Sequence, residues 1–235
     1  MCHEACIDFG KINLRVEDVK DKDVIEVGAS DLNGSLRSTI EALGPKKYVG
    51  VDIQSGKGVD IICKAEDLIR YFGSNKFDVL IATEVIEHVS DWEKVISNFK
   101  NILKPNGVII ITTRSKGFHY HGFPFDFWRY ELSDMEYIFS DFIIEVAEKD
   151  PLALGIFIKA RKPENFIENN LSTYRLYSID LNKKSTVREI ALCFPFFYII
   201  RTVTNKWPEA IKKTEAYKKF KAWKKAHKIW FFILR

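Results

Sequence analysis

The sequence contains no C-x-x-C pair, no apolar leader, no long apolar run, no internal repeat and no G-x-G-x-x-G turn. Each absence excludes a class of protein. The four cysteines, Cys2, Cys6, Cys63 and Cys193, are irregularly spaced. That argues against a disulfide scaffold and suits reduced thiols in a cytoplasmic protein. Cys2, His3 and Cys6 lack a recognisable second ligand pair, so no metal is expected. The opening "MCHEACIDFGKINLRVEDVK" has no apolar h-region of a secretory signal. The longest apolar run, "IALCFPFFYII" at 190–200, is interrupted by a proline and is too short to span a bilayer. Without the glycine turn, the pyrophosphate of a dinucleotide has no cradle.

What is present is a packed core and an uneven distribution of charge. Hydrophobic residues make up 46% of the 235, enough for one domain with an appendage. The net charge is +4, yet residues 183–235 carry fourteen Lys/Arg against three Glu, which leaves the rest of the chain acidic. An acidic body and a basic tail predict different tasks for the two parts. The polar stretch "RKPENFIENN" (161–170) is the expected edge, giving a domain over 1–165 and a basic, aromatic-rich helical extension over 166–235.

The body alternates strand and helix signals. "DVIEV" (23–27), "KYVGVDI" (47–53), "VDII" (59–62), "FDVLIAT" (77–83) and "VIIITT" (108–113) read as strands. "GSLRSTIEALG" (34–44) and "DWEKVISNFKNIL" (91–103) read as helices, the second capped by Asp91, and "AEDLIRYFG" (65–73) as a short helix or turn. "KPNG" (104–107) reads as a turn. Strands that are apolar throughout and separated by helices indicate a parallel sheet covered on both faces. "FIIEVAEK" (142–149) and "LGIFIKARK" (154–162) follow without a helix between them and predict an antiparallel pair.

Open α/β sheets bind ligands at the carboxyl ends of their strands. There, Gly28 allows close approach of the backbone, and Asn33-Gly34 permits positive φ and the start of a helix with free N–H groups. Asp52 ends the second strand, where a carboxylate can accept both hydroxyls of a ribose. These features suit a nucleoside ligand without a pyrophosphate.

Five segments, in order, resemble class I S-adenosylmethionine (SAM)-dependent methyltransferases over residues 23–162. They are "VIEVGASDLNGSLR", "YVGVDIQSGKGVD", "KAEDL", "FDVLIATEVIEHV" and "LKPNGVIIITT". The resemblance implies a Rossmann-like, doubly wound α/β fold with a seven-stranded, mostly parallel sheet and an antiparallel last strand. It implies SAM as the cofactor. It has Glu26 orient the loop near the methionine amino group, Gly28 and Ser30 contact the methionyl part, Asp52 and Ile53 hold the ribose and adenine, and Thr83, Glu84 and Val85 line the sulfonium side, with Asn33 and Gly34 also in the cofactor loop. Ala65 and Glu66 fall in the adenine loop, where Lys64 stands in place of the family's frequent Asp and cannot accept a hydrogen bond.

Two segments supply candidates for catalysis. In "EVIEHV" (84–89), a helical turn would put Glu84 and His88 on one face, with His88 as general base or as a structural cap. "FHYHGFPFDFWRY" (118–130) holds His119, His121, Asp126, Arg129 and seven Phe, Tyr or Trp rings. Either His could act as base, and His121, Asp126 and Arg129 could position hydroxyls or a phosphate. Alternatively the segment is a lid stapled by its own rings, with Asp126 paired to Arg129. Its H-G-x-P-x-D-x-W-R run resembles methyltransferases associated with glycan gene sets. That points to O-methylation of a sugar or glycan, free or lipid-linked, ahead of another small molecule and ahead of RNA. A non-catalytic SAM-binding scaffold is the rival class.

The tail "TEAYKKFKAWKKAHKIWFFILR" (214–235) would, as a helix, set aromatics against lysines. It could pack on its own domain or a second subunit, lie on an anionic membrane at the inner face, or contact nucleic acid. The oligomeric state is left open.

Overall fold

A computed structural model describes residues 4–32, 34–122 and 125–192. Its centre is a seven-stranded sheet. β1 (Asp23–Val27), β2 (Lys47–Asp52), β3 (Ile61–Ile62), β4 (Phe77–Thr83) and β5 (Leu103–Arg114) run parallel. β6 (Trp128–Arg129) lies outside this sheet, which is completed by β7 (Ile143–Lys149) and β8 (Gly155–Arg161). The order is β3-β2-β1-β4-β5-β8-β7, with β8 antiparallel to both neighbours. This is the expected doubly wound sheet, and the order reverses between β1 and β4, where such sheets bind ligands.

The strands form where the sequence is apolar throughout. Val24, Ile25, Val79 to Ala82 and Ile109 to Ile111 are all fully buried, each Val, Leu or Ile side chain among them contributing about 1.5–3 kcal/mol. α1 (Glu4–Asn13) and α2 (Val16–Val19) were not foreseen. α1 lays Cys6 and Phe9 onto the sheet, Phe9 meeting Phe157 at 5.0 Å between ring centroids. α2 is tied to β8 by Asp18, which accepts from Lys159 and from Arg161, both at 2.8 Å.

α3 (Arg37–Ala42) begins three residues later than the sequence predicts. The Gly34 N–H is taken by Asp31 Oδ1 at 3.1 Å and the Arg37 N–H by Ser35 Oγ at 3.0 Å, so neither is free for a ligand. α4 (Leu68–Phe72) follows a single 3-10 turn at Ala65–Asp67. α5 (Trp92–Ile102) is capped as expected, Asp91 Oδ1 accepting from the Lys94 N–H at 3.1 Å. The "KPNG" turn is instead drawn into β5, with Asn106 at φ 65 and a register shift against β4.

α6 (Leu132–Ile138) precedes β7. β9 (Leu176–Ser178) pairs with β6 on one side and with β10 (Lys183–Ser185) on the other, in a second, three-stranded antiparallel sheet. The compact unit therefore continues to Leu192, past the edge at 165 that the charge shift suggested, because residues 176–185 anchor the segment before α6. Residues 166–185 hold strands and turns where a helical extension was expected, and among the described residues of that stretch only 187–192 are helical. The patterned tail 214–235 and the apolar run from 193 lie outside the described residues, as do Cys2, His3 and Asn33. Among the described residues no helix is long and apolar enough to cross a membrane.

Candidate active site

The carboxyl ends of β1 and β2 carry the first half of the site. Gly28 sits at φ +76, and a Cβ there would lie 2.3 Å from Val85 Cγ2, so this loop position requires glycine. Gly28 and Ala29 donate to the Val51 carbonyl at 2.9 and 3.1 Å, which fixes the loop to β2. Asp52 is oriented by backbone alone. Its Oδ2 accepts from the Ser30 N–H at 3.3 Å and its Oδ1 from Gln54 N–H at 3.2 Å. Each oxygen keeps a lone pair for a further donor. Next to it Ile53 is 55% exposed, an apolar surface on which a flat ring could rest. Ala65 is buried and its carbonyl accepts from Asn98 at 2.9 Å, while Glu66 is half-buried. Glu26 is buried and accepts from the Tyr48 hydroxyl at 2.5 Å. Burial raises its pKa, and the Tyr48 hydrogen bond opposes that rise.

The ends of β4 and β5 carry the second half. Thr83 is half-buried, and Glu84 follows at φ 58. That left-handed residue breaks the helical turn expected over 84–88, and the 3-10 turn spans only Ile86–His88. Glu84 therefore points away from His88. It accepts from Thr112 Oγ1 at 3.2 Å and pairs with Arg114, whose Nη1 also reaches Asp150 at 3.2 Å. Burial, then the nearby Glu87 and Cys6, push the Glu84 pKa up, and Arg114 acts against them. Glu87 is the side chain that meets His88, its Oε1 lying 3.9 Å from Nε2.

Residues 118–122 and 125–130 lie against this half, Phe127 donating its N–H to the Glu87 carbonyl at 2.8 Å. Arg129 holds Asp126 with two parallel hydrogen bonds, 2.6 and 2.9 Å, and also donates to the His119 and Phe118 carbonyls at 3.0 and 3.3 Å. Both partners are fully buried, so the pair serves the loop itself. Burial alone would raise the Asp126 pKa, but bonds from Arg129 and His121 hold it well below the usual carboxylate range. Asp126 Oδ2 also receives the His121 N–H at 2.8 Å and faces His121 Nδ1 at 3.2 Å. The His121 ring lies 4.7 Å from that of His88, centroid to centroid, tilted by 57°. His119 instead stacks on Phe118, 4.5 Å between centroids. Thus His88 and His121, distant in sequence, come together, and His119 meets the His121 ring only edge-on, 6.4 Å between centroids.

Residues 6–143 match the model of a family described as methyltransferase domain. The chain belongs to that family. It is a methyltransferase of the SAM-dependent class, and the glycine-requiring loop and the braced Asp52 fit that cofactor. The ubiquinone biosynthesis O-methyltransferase of Bartonella tribocorum is 23% identical over 183 residues, 72% of this chain and 68% of that protein. Two solved structures share the fold. The 1,6-didemethyltoxoflavin-N1-methyltransferase of Burkholderia thailandensis matches with TM-score 0.53 at 14% identity, covering 68% of this chain and 79% of that one. An S-adenosylmethionine-dependent methyltransferase from Mesorhizobium loti matches with TM-score 0.52 at 14% identity, covering 68% and 98%. Sequence reasoning missed Glu87 in this methyltransferase. The signal was there, an acidic residue directly before His88, but the assumed helical spacing favoured Glu84.

Proposed function

We propose that this methyltransferase acts on a hydroxyl oxygen of a small-molecule acceptor, sugars included, bound between the β4 end and residues 115–125. The observation that carries this reading is the pairing of His88 and His121 beside the switch point of the sheet. SAM supplies a methyl group on a positively charged sulfur, which an oxygen nucleophile displaces in line. Gly28, Ser30 and the loop they share with Glu26 would hold its methionyl part. Asp52 would accept the ribose hydroxyls, Ile53 and Ala65 would flank the adenine, and Thr83 with Glu84 and Val85 would border the sulfonium.

The acceptor side must orient a hydroxyl and remove its proton. His88 Nδ1 is 2.6 Å from the Phe125 carbonyl, which can only accept, so Nδ1 carries the proton and Nε2 offers a lone pair. The same logic applies to His121, whose Nδ1 faces Asp126. A hydroxyl proton directed at either Nε2 would find an acceptor. The name of the Bartonella relative, an O-methyltransferase, supports oxygen as the acceptor atom. The rings of Phe118, His119 and Phe125 favour a ligand with flat faces, such as a sugar.

Calorimetry with S-adenosylhomocysteine tests the cofactor half. Asp52→Ala should lose about 1.5–3 kcal/mol, roughly 10–100-fold in affinity. Equal affinity would remove Asp52 from the site. Transfer of labelled methyl to a panel of sugars, phenols and amines tests the acceptor half, and product on amines alone would overturn the hydroxyl assignment.

A further inference from the structure

Three side chains turn the same kind of atom toward one point. Glu87, His88 and His121 each offer one ligand atom, and these atoms all lie within 4.8 Å of one another. Glu87 Oε1 is 3.9 Å from His88 Nε2 and 3.8 Å from His121 Nε2, beyond hydrogen-bond range. The opposite atom of each group is already engaged. Thr113 Oγ1 donates to Glu87 Oε2 at 2.9 Å. His88 Nδ1 donates to the Phe125 carbonyl, and His121 Nδ1 to Asp126, which Arg129 holds in turn. With the proton on Nδ1, each ring turns a lone pair outward at Nε2, and among the described residues Glu87 Oε1 and His121 Nε2 meet no hydrogen-bond donor.

The cluster is also buried. Glu87 is 0% exposed, the His121 side chain 7%, and Glu87 Oε1 and His121 Nε2 have no hydrogen-bond partner. Leaving a buried charged acceptor unpaired costs more than the ~1–3 kcal/mol of a neutral one. One proton would answer one lone pair, whereas a divalent cation answers all three atoms. Their span is little more than twice the roughly 2.0–2.2 Å of zinc–nitrogen and zinc–oxygen bonds. Metal-binding histidines commonly donate their other ring N–H to a carbonyl or carboxylate, the arrangement both rings show here.

We propose that Glu87, His88 and His121 form a binding site for a divalent transition-metal cation of the zinc type. Two nitrogens and one carboxylate favour such an ion over magnesium or calcium. Three protein ligands leave a position open, as in catalytic zinc sites. The His88 side chain, 26% exposed, marks that open side, and Gly122 packs so closely that a Cβ would lie 2.3 Å from His88 Cε1, holding the ring in place. Where the acceptor lies rests on the proposed function, and metal binding itself does not. With the cation in place the two rings act as ligands. An acceptor hydroxyl in the open position would then release its proton to water instead of to a ring.

The test is calorimetric titration of zinc into the metal-free full chain, with no methyl donor present. One equivalent should bind at micromolar Kd or tighter and raise the thermal midpoint. Glu87→Gln and His88→Gln should each weaken binding by at least about 100-fold, by loss of one of three ligands. Circular dichroism and S-adenosylhomocysteine affinity should stay at wild-type values, which excludes misfolding. Absence of zinc binding by wild type overturns the proposal. So does one equivalent that survives His88→Gln combined with His121→Gln, since it would place the metal on other residues. Zinc binding without S-adenosylhomocysteine binding would uphold this site and overturn the cofactor assignments, and the reverse result would do the opposite.

Discussion

The β1–β2 ends and the β4–β5 ends lie side by side in one sheet, yet they are held by different forces. At β1–β2 the loop is positioned by backbone. Gly28 and Ala29 bond to Val51, and Ser30 and Gln54 bond to Asp52. At β4–β5 the framework is made of buried charge, with Glu84, Glu87, Arg114, Asp126, Arg129 and Asp150 all nearly inaccessible to water. A cofactor shared by a whole class can be held by main chain, which changes little between sequences. An acceptor pocket needs particular side chains, and buried side chains need partners to be tolerated.

The comparison breaks most readily at Asp126. Asp126→Asn leaves Arg129 buried without its charge partner, an uncompensated charge worth about 3–5 kcal/mol. For a unit of this size the thermal midpoint should fall by about 6–20 °C, measured by calorimetry at pH 7. The sign with pH follows from the depressed carboxyl. Its stabilising contribution is complete above the unfolded value of about 3.9 and disappears as pH falls through the lower folded value. The gap between wild type and Asp126→Asn should therefore narrow only below about pH 4. A gap that is constant with pH would mean the charge of Asp126 is not what stabilises this half.

Gly28→Ala is the matching change in the other half. Alanine at φ +76 carries a left-handed penalty of about 1–2 kcal/mol, and its methyl overlaps Val85. S-adenosylhomocysteine affinity should fall roughly 100-fold, or about 2.7 kcal/mol, while zinc affinity at Glu87 and the two histidines stays unchanged. Parallel loss of both would show that the halves are coupled through Val85, and the contrast between them would fail.

This contrast also explains what was legible beforehand. Buried parallel strands appear as apolar runs, so β1, β2, β4 and β5 could be read directly, and the antiparallel pair β7 and β8 followed from two strand-like runs with no helix between them. The turn at Gly28 and the strand end at Asp52 were legible because each demands a residue type locally. α1 was missed because ten residues containing Gly10 make a weak helix alone, and its stability comes from packing Cys6 and Phe9 on the sheet. β6, β9 and β10 are two or three residues long and have no period to detect. At the β4–β5 ends, the Asp126–Arg129 pairing was foreseen only as the alternative to a role in positioning an acceptor, and it is the pairing that the buried, two-bonded geometry displays. The meeting of Glu87 with His121, 34 positions on, depends on how the loop folds back, and the positive φ at Glu84 cancelled the spacing argument that had favoured that residue.

The smallest change tests whether the two halves depend on anything besides their own supports. α5 leaves the β4 loop and returns to β5, so it lies behind both. Asp91 caps it with a single bond to the Lys94 N–H, at an exposed position. Asp91→Ala removes that cap and should cost about 1 kcal/mol, lowering the thermal midpoint by about 2–4 °C. The Trp92, Val95 and Phe99 side chains remain buried and keep the helix seated. If each half stands on its own backbone or charge network, S-adenosylhomocysteine and zinc affinities should both be unchanged. A drop in zinc affinity alone would place the helix start, three residues after His88, among the supports of the acceptor half.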